Sequence, residues 1–177
     1  MPLQLTDFRT DAAKISKGVV VLQDGWQRAL ETNKKLFAED FVKRARFATD
    51  YPLRMTPTEF VEKLFANAGI PVAEGDFAAA IAEFGRATDT SDVAARGRAL
   101  QRVAENSTLT RRRFNRAFVL MEYFGYLRRD PNSGQDRDFA GYNFWLDKLD
   151  RFDGNFHEAE MVKAFLSSLE YRARFPR

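Results

Sequence analysis

Apolar positions recur along this chain with helical spacing. From Trp26 to Arg44 they fall at 26, 29, 30, 36, 37, 41 and 42, and offsets of three, four and seven put most of them on one face. Asp24 stands where a cap is needed, with Gln27 three residues on, and Pro52 ends or follows the helix. A sharper start follows at Thr56-Pro57-Thr58-Glu59, with a capping hydroxyl, proline at the first helical position and glutamate at the third. Phe60, Val61, Leu64 and Phe65 then make one stripe, ended by Gly69 and Pro71. Ala73 to Phe84 is alanine-rich and helical, closed by Gly85, and Ser91 or Asp92 opens a helix through Val103.

Phe114 to Leu127 is apolar on nearly all sides and reads as a central buried helix. Asp138 to Leu149 is amphipathic and carries Trp145. Asn155 with Glu158 predicts a second capping box for a helix through Leu166, and a last short helix runs from Ser168 to Phe175. Strand-like character is confined to Gly18 to Leu22, which is short and isolated. The pattern predicts an all-α fold, a bundle of about seven to nine short helices.

Part of the pattern repeats. Residues 41–52, FVKRARFATDYP, align without gaps on 165–176, FLSSLEYRARFP, so Phe41 meets Phe165, Phe47 meets Tyr171 and Tyr51 meets Phe175. Trp26 and Trp145 precede the two copies. Phe60-Val61-x-x-Leu64-Phe65 likewise matches Phe118-Val119-x-x-Glu122-Tyr123. These matches divide the chain into the tail of one unit at 1–55, a degenerate middle unit at 56–114 and a complete unit at 115–177. A chain that begins on the tail of a unit reads as a piece of a longer protein.

Composition narrows the chemistry. The 177 residues include one histidine and no cysteine, which excludes thiol catalysis, cysteine-held metals and a multi-histidine site. No apolar run approaches a membrane span of about 18 residues. The first residues, MPLQLTDFRTD, have no basic and apolar leader pattern. The net charge of +3 is unevenly spread: residues 58–90 carry 2 basic and 6 acidic side chains, and residues 91–129 carry 9 and 3. Such blocks suit self-association at least as well as nucleic-acid binding.

The last unit carries a denser pattern. Phe118, Val119, Tyr123, Leu127, Arg129, Pro131 and Asn132 are followed by Gly141, Tyr142, Trp145 and Leu149, then by Phe165, Ser168, Glu170 and Tyr171. Over about 60 residues this resembles the bacterial family called domain of unknown function 4214, a relative of phycobilisome linker domains. The wording YFGYLRRDPN and FAGYNFWLDKL resembles the C-terminal part of large acidobacterial proteins of that type. The resemblance implies a helical domain without established catalysis, set in large secreted or surface-associated proteins, with linker cousins that act by protein–protein packing. It implies a secreted or surface location as part of a larger chain; a complete chain of this sequence would be cytoplasmic. The loop SGQDRDFA after Asn132 is longer than the family's usual turn, and the middle unit lacks the tryptophan and the arginine–proline core.

Each candidate site has a plainer reading beside it. The aromatic residues, 17 Phe, 5 Tyr and 2 Trp, fall at helical spacing and read first as core filling, with an exposed binding platform as the alternative. Asp130, Asn132, Asp136 and Asp138 present alternating oxygens, a candidate calcium loop and the basis of an alternative function in calcium or glycan binding. That loop lacks the closing glutamate of an EF-hand, since the twelfth residue from Asp130 is Gly141, and the favoured reading is a turn in which Asp136 or Asp138 caps the next helix. Arg129 is expected to brace the loop through a carboxylate or carbonyls.

Arg111, Arg112, Arg113 and Arg116 form a candidate interaction site, with Arg96, Arg98 and Arg102 upstream. Solvated or intramolecular pairing is favoured, a protein partner comes next, and nucleic acid is the weakest reading. His157 sits beside Asn155 with no nucleophile at a useful spacing, and Glu158, Glu160, Asp147 and Asp150 read as solvated rather than as acid–base pairs. The sequence therefore points to a non-catalytic helical interaction or assembly module. It implies no cofactor beyond the candidate calcium, and its partner is a protein or a second copy.

Overall fold

A computed structural model describes residues 4–71, 74–134 and 136–175. Ala73, Gln135 and Pro176, which enter the readings above, lie outside the described residues. Among the described residues, ten α-helices run in the order α1 (Leu5–Ile15), α2 (Trp26–Phe41), α3 (Ala45–Asp50), α4 (Pro57–Ala68), α5 (Glu74–Ala82), α6 (Val93–Ala104), α7 (Ser107–Glu122), α8 (Ala140–Arg151), α9 (Met161–Ser167) and α10 (Leu169–Arg172). A π-helical turn, Tyr123–Leu127, continues α7. Among the described residues there is no strand, and the fold is all-α. The Gly18 to Leu22 stretch forms exposed turns with Leu22 at φ 73°; without a neighbouring strand its backbone bonds locally instead. No described helix is long and apolar enough to cross a membrane.

The chain divides into two compact units, Arg9–Thr110 and Met1–Phe8 with Arg111–Arg177. In the first, Phe60, Val61, Leu64 and Phe65 of α4 form the centre of the core, packed by Phe47, Tyr51, Phe84, Ala95, Ala99 and Val103. The start of α4 is the predicted capping box: the Thr56 hydroxyl accepts from the Glu59 N–H, and the Glu59 carboxylate accepts from the Thr56 N–H. Gly69 closes α4 at φ 68°, and Asp92 caps α6 through the N–H groups of Ala94 and Ala95. Asp24 does not cap α2; Gly25 holds that position at φ 83° with no side-chain cap. Gly97 sits where α6 meets α2, and a Cβ there would lie 3.0 Å from the Glu39 backbone nitrogen.

Arg96 is the largest fully buried side chain of this unit, at 1% exposure. Its guanidinium donates to the Tyr51 carbonyl at 2.6 Å and the Thr90 hydroxyl at 2.8 Å, and lies 4.6 Å from the Phe60 ring centre. Burial lowers its pKa from the ordinary value. Arg98 and Arg102 both bond Glu83. Burial opposes the charge on Glu83, and the two guanidiniums outweigh it and hold its pKa below the ordinary carboxylate value. Much of the acidic block is thus answered from within: Glu59 by its cap, Glu83 by two arginines and Asp76 by Asn106.

In the second unit, Val119, Tyr123, Phe124, Leu146, Leu149, Met161 and Phe165 form the core, with Leu5 and Phe8 packed against it. The expected central helix over 114–127 is corrected in three ways. It begins earlier, at Ser107; it turns π-helical after Glu122; and its α-helical part buries only Val119 and Glu122, leaving Phe114 and Met121 exposed. One covered face is enough to hold it, so apolar residues elsewhere on it carry no packing. The expected helix after Asn155 is corrected too. The Asn155 side chain accepts from the His157 and Glu158 N–H groups, but these close turns, and α9 begins only at Met161 behind Glu160 at φ 50°. Ala159 and Met161 are drawn fully into the core, and the Met161 N–H reaches back to the Phe156 carbonyl, one residue too far for an α-helical bond.

The two copies of the repeated stretch break at the same position but pack differently, since Tyr51 is buried and its match Phe175 is 57% exposed. Arg44 and Ser168, aligned in the sequence, both take extended backbone, at ψ 138° and 147°. Each opens a short helix at the next residue, Ala45 or Leu169.

Candidate functional site

The motif residues of the last unit converge on Arg129. Arg128 adopts φ 58° and turns the chain out of the π-helical turn, which carries Arg129 back over the Tyr123 ring at 5.2 Å. Its guanidinium reaches Glu170 at 2.6 and 3.1 Å, Asp136 at 2.7 Å, and the Ser133 and Asp130 carbonyls at 2.7 and 3.1 Å. One cation therefore ties the π-helical turn, the loop and α10 together. A small cleft of about 160 Å³ beside it is lined by Tyr123, Leu127, Trp145, Phe165 and Ser168, all members of the sequence pattern. Gly141 of the same pattern stands where a Cβ would lie 2.8 Å from the Tyr123 hydroxyl. Ser168 caps α10 through the Tyr171 N–H.

Three of the four calcium candidates have separate tasks. Asp130 accepts the Leu5 N–H at 2.6 Å, Asp136 pairs with Arg129, and Asp138 accepts the Ala140 N–H at 2.8 Å at the start of α8. Asn132 is half-buried in the same loop. The structure does not bring their oxygens to one point, and the loop carbonyls that do converge meet the guanidinium of Arg129. Among the described residues, no group of three or more His, Asp or Glu side chains is placed to hold a metal ion.

Replacing Arg129 by alanine is expected to lower stability by about 2–4 kcal/mol, because Glu170, Asp136 and two carbonyls lose a charged donor together. Lysine should recover little, since one ammonium cannot span the same fork. Thermal denaturation of both variants checks this; a loss under about 1 kcal/mol for Arg129→Ala would contradict the bracing role.

The arginines read as one basic segment have three destinations. Arg96 is buried, Arg98 and Arg102 hold Glu83, and Arg111, Arg112, Arg113 and Arg116 are exposed on α7. Arg113 and Arg116 line an open groove of about 630 Å³ with Leu120, Phe139, Tyr142 and Asn143. On the outer side of α8, Phe144 is 59% exposed, and Asp147 is exposed one turn further on. His157 is exposed, with its ring 4.3 Å from that of Phe156. Of the remaining carboxylates, Asp150 accepts from Asn115 and Glu160 pairs with Lys163 at 3.1 Å, while Glu158 is exposed.

Sequence reading missed Glu122. This carboxylate is 5% exposed and its Oε2 is buried without a hydrogen-bond partner. Burial pushes its pKa up to about 7. The signal was present in the repeat, where Glu122 occupies the position of the buried Leu64.

In comparisons with known proteins, no family model, no curated protein and no solved structure matches this chain.

Proposed function

We propose that this chain is a non-catalytic helical module that works by packing against protein, including further copies of itself, within a larger bacterial secreted or surface-associated protein. The observation that carries the reading is one large ring of α8 left in solvent: Phe144 is 59% exposed, next in the chain to Asn143, which lines a groove shared with Leu120 and Phe139. A large ring left in water gains by being covered, at roughly 25 cal/mol per Å². The resemblance to domain of unknown function 4214 supports the same direction, since its linker cousins pack against protein. The arrangement around Arg129 supports it as well, because the densest motif in the sequence serves the fold's own bracing.

The test is sedimentation velocity over a wide concentration range, with wild type and Phe144→Ser. Wild type is expected to grow beyond its 20.3 kDa as concentration rises. Phe144→Ser is expected to stay at that mass with an unchanged melting temperature. A wild type that stays monomeric throughout, or a serine variant that associates equally well, would contradict the reading.

A further inference from the structure

Two faces of the C-terminal unit carry complementary groups, guanidiniums on one and a carboxylate beside an exposed ring on the other. The first is the groove between α7 and the start of α8. Arg113, Arg116, Ala117 and Leu120 line it from α7 at helical spacing, and Phe139, Tyr142 and Asn143 line it from the other side. Its floor is fixed: the Tyr142 hydroxyl donates to the Arg116 carbonyl at 3.2 Å, and the Tyr142 ring meets Phe139 edge-on at 6.2 Å. No carboxylate lines it. The second face is the outer side of α8, where Phe144 and Asp147 stand one turn apart, both exposed. Among the described residues neither Arg116 nor Asp147 forms an ion pair.

We propose that the groove of one copy receives the outer face of α8 from a second copy. Phe144 then covers Leu120 and Phe139, and Asp147 meets Arg116. The proposal rests on the packing reading above and names its partner. Two-fold symmetry makes the pairing reciprocal, so each dimer holds the Phe144 contact and the Arg116–Asp147 pair twice. A helix here docks into a groove through a single aromatic anchor flanked by a charge. The charges choose the partner face: guanidiniums on the groove wall, a carboxylate beside the inserted ring. A nucleic acid fits less well. Tyr142 is only 8% exposed and locked edge-on, so it offers no open ring face for a base, and phosphates favour a longer row of cations than this wall supplies.

The experiment is a charge exchange followed by sedimentation. Arg116→Glu and Asp147→Arg are each expected to weaken dimerisation about tenfold or more, since each places like charges together twice per dimer. The double variant restores the pair with its sense reversed and is expected to return to within about threefold of wild type. Both positions are exposed, so the melting temperatures of all three variants should match wild type, which separates lost docking from lost folding. A wild type that associates while the charge reversals change nothing would overturn this pairing and leave the packing reading standing. A wild type that stays monomeric overturns both. Binding of a single-stranded oligonucleotide that needs Arg116, with the protein monomeric, would assign the groove to nucleic acid instead.

Discussion

Replacing Arg96 by alanine is expected to lower the unfolding free energy of the Arg9–Thr110 unit by about 4 kcal/mol, the largest effect foreseen for a single site. The guanidinium supplies the donors for the Tyr51 carbonyl and the Thr90 hydroxyl, and it lies between the Phe47 and Phe60 rings, 5.6 and 4.6 Å from their centres. Truncation leaves a void among aromatic rings and removes a charged donor from a buried carbonyl. Each loss costs on the order of 1–3 kcal/mol, and relief from burying an unpaired charge offsets part of the sum. Lysine at this position keeps the charge but cannot reach both acceptors and lie flat on the Phe60 ring, so it should recover less than half. Urea denaturation followed by circular dichroism checks this. A loss below about 1 kcal/mol would mean that the core repacks around the gap and that Arg96 holds nothing together.

The second large effect is one of pH. Glu122 is buried with its Oε2 unpartnered, and its pKa in the folded chain is pushed up to about 7, against an ordinary value of 4.5. Between these values the folded state holds a proton that the unfolded state has released. Stability on this account is therefore greatest below pH 4.5, falls as pH rises towards 7, and stays reduced above it. Glu122→Gln removes the titration and keeps the shape. At pH 8 it is expected to stabilise the chain by on the order of 3 kcal/mol, and at pH 4 by almost nothing. Paired melts at the two pH values read the difference directly. Carboxylates such as Glu83, held below the ordinary value by their partners, act in the opposite direction in both proteins and cancel from the comparison. An equal effect of the substitution at both pH values would show that the carboxylate is not charged and buried at neutral pH.

Local signals were read from the chain where they act within a few residues. The capping box at Thr56, the left-handed Gly69 and the Asp92 cap need only their neighbours, and each stands as the spacing predicts. The aligned stretches share a break at Arg44 and Ser168. Long-range competition was not legible. Asn155 offers a cap, but Ala159 and Met161 are drawn into the core and delay the helix. Phe114 to Leu127 looks buried all round, yet only part of it is covered, and periodicity cannot say which apolar side chains find a neighbour. For the site, the bracing role of Arg129 was readable because it depends on the loop itself, whereas the expected cap is replaced: Phe139 holds the N-cap of α8 without a side-chain bond, and Asp138 only closes a turn onto the Ala140 N–H. The groove beside Arg113 and Arg116 was not, because its second wall arrives from residues 139–143. Glu122 escaped notice because a glutamate in a helix is ordinarily solvated, and only its match to Leu64 marks the position as core.

The function proposed for this chain requires that it pack against protein through its C-terminal unit. Light scattering behind size exclusion, over a wide concentration range in calcium and then in chelator, tests that most directly. The mass is expected to rise above 20.3 kDa with concentration, by the same amount in both buffers. A mass of 20.3 kDa under every condition, or one that changes only with calcium, would contradict the proposal. The calcium-dependent result would move the function to the loop of Asp130, Asn132, Asp136 and Asp138.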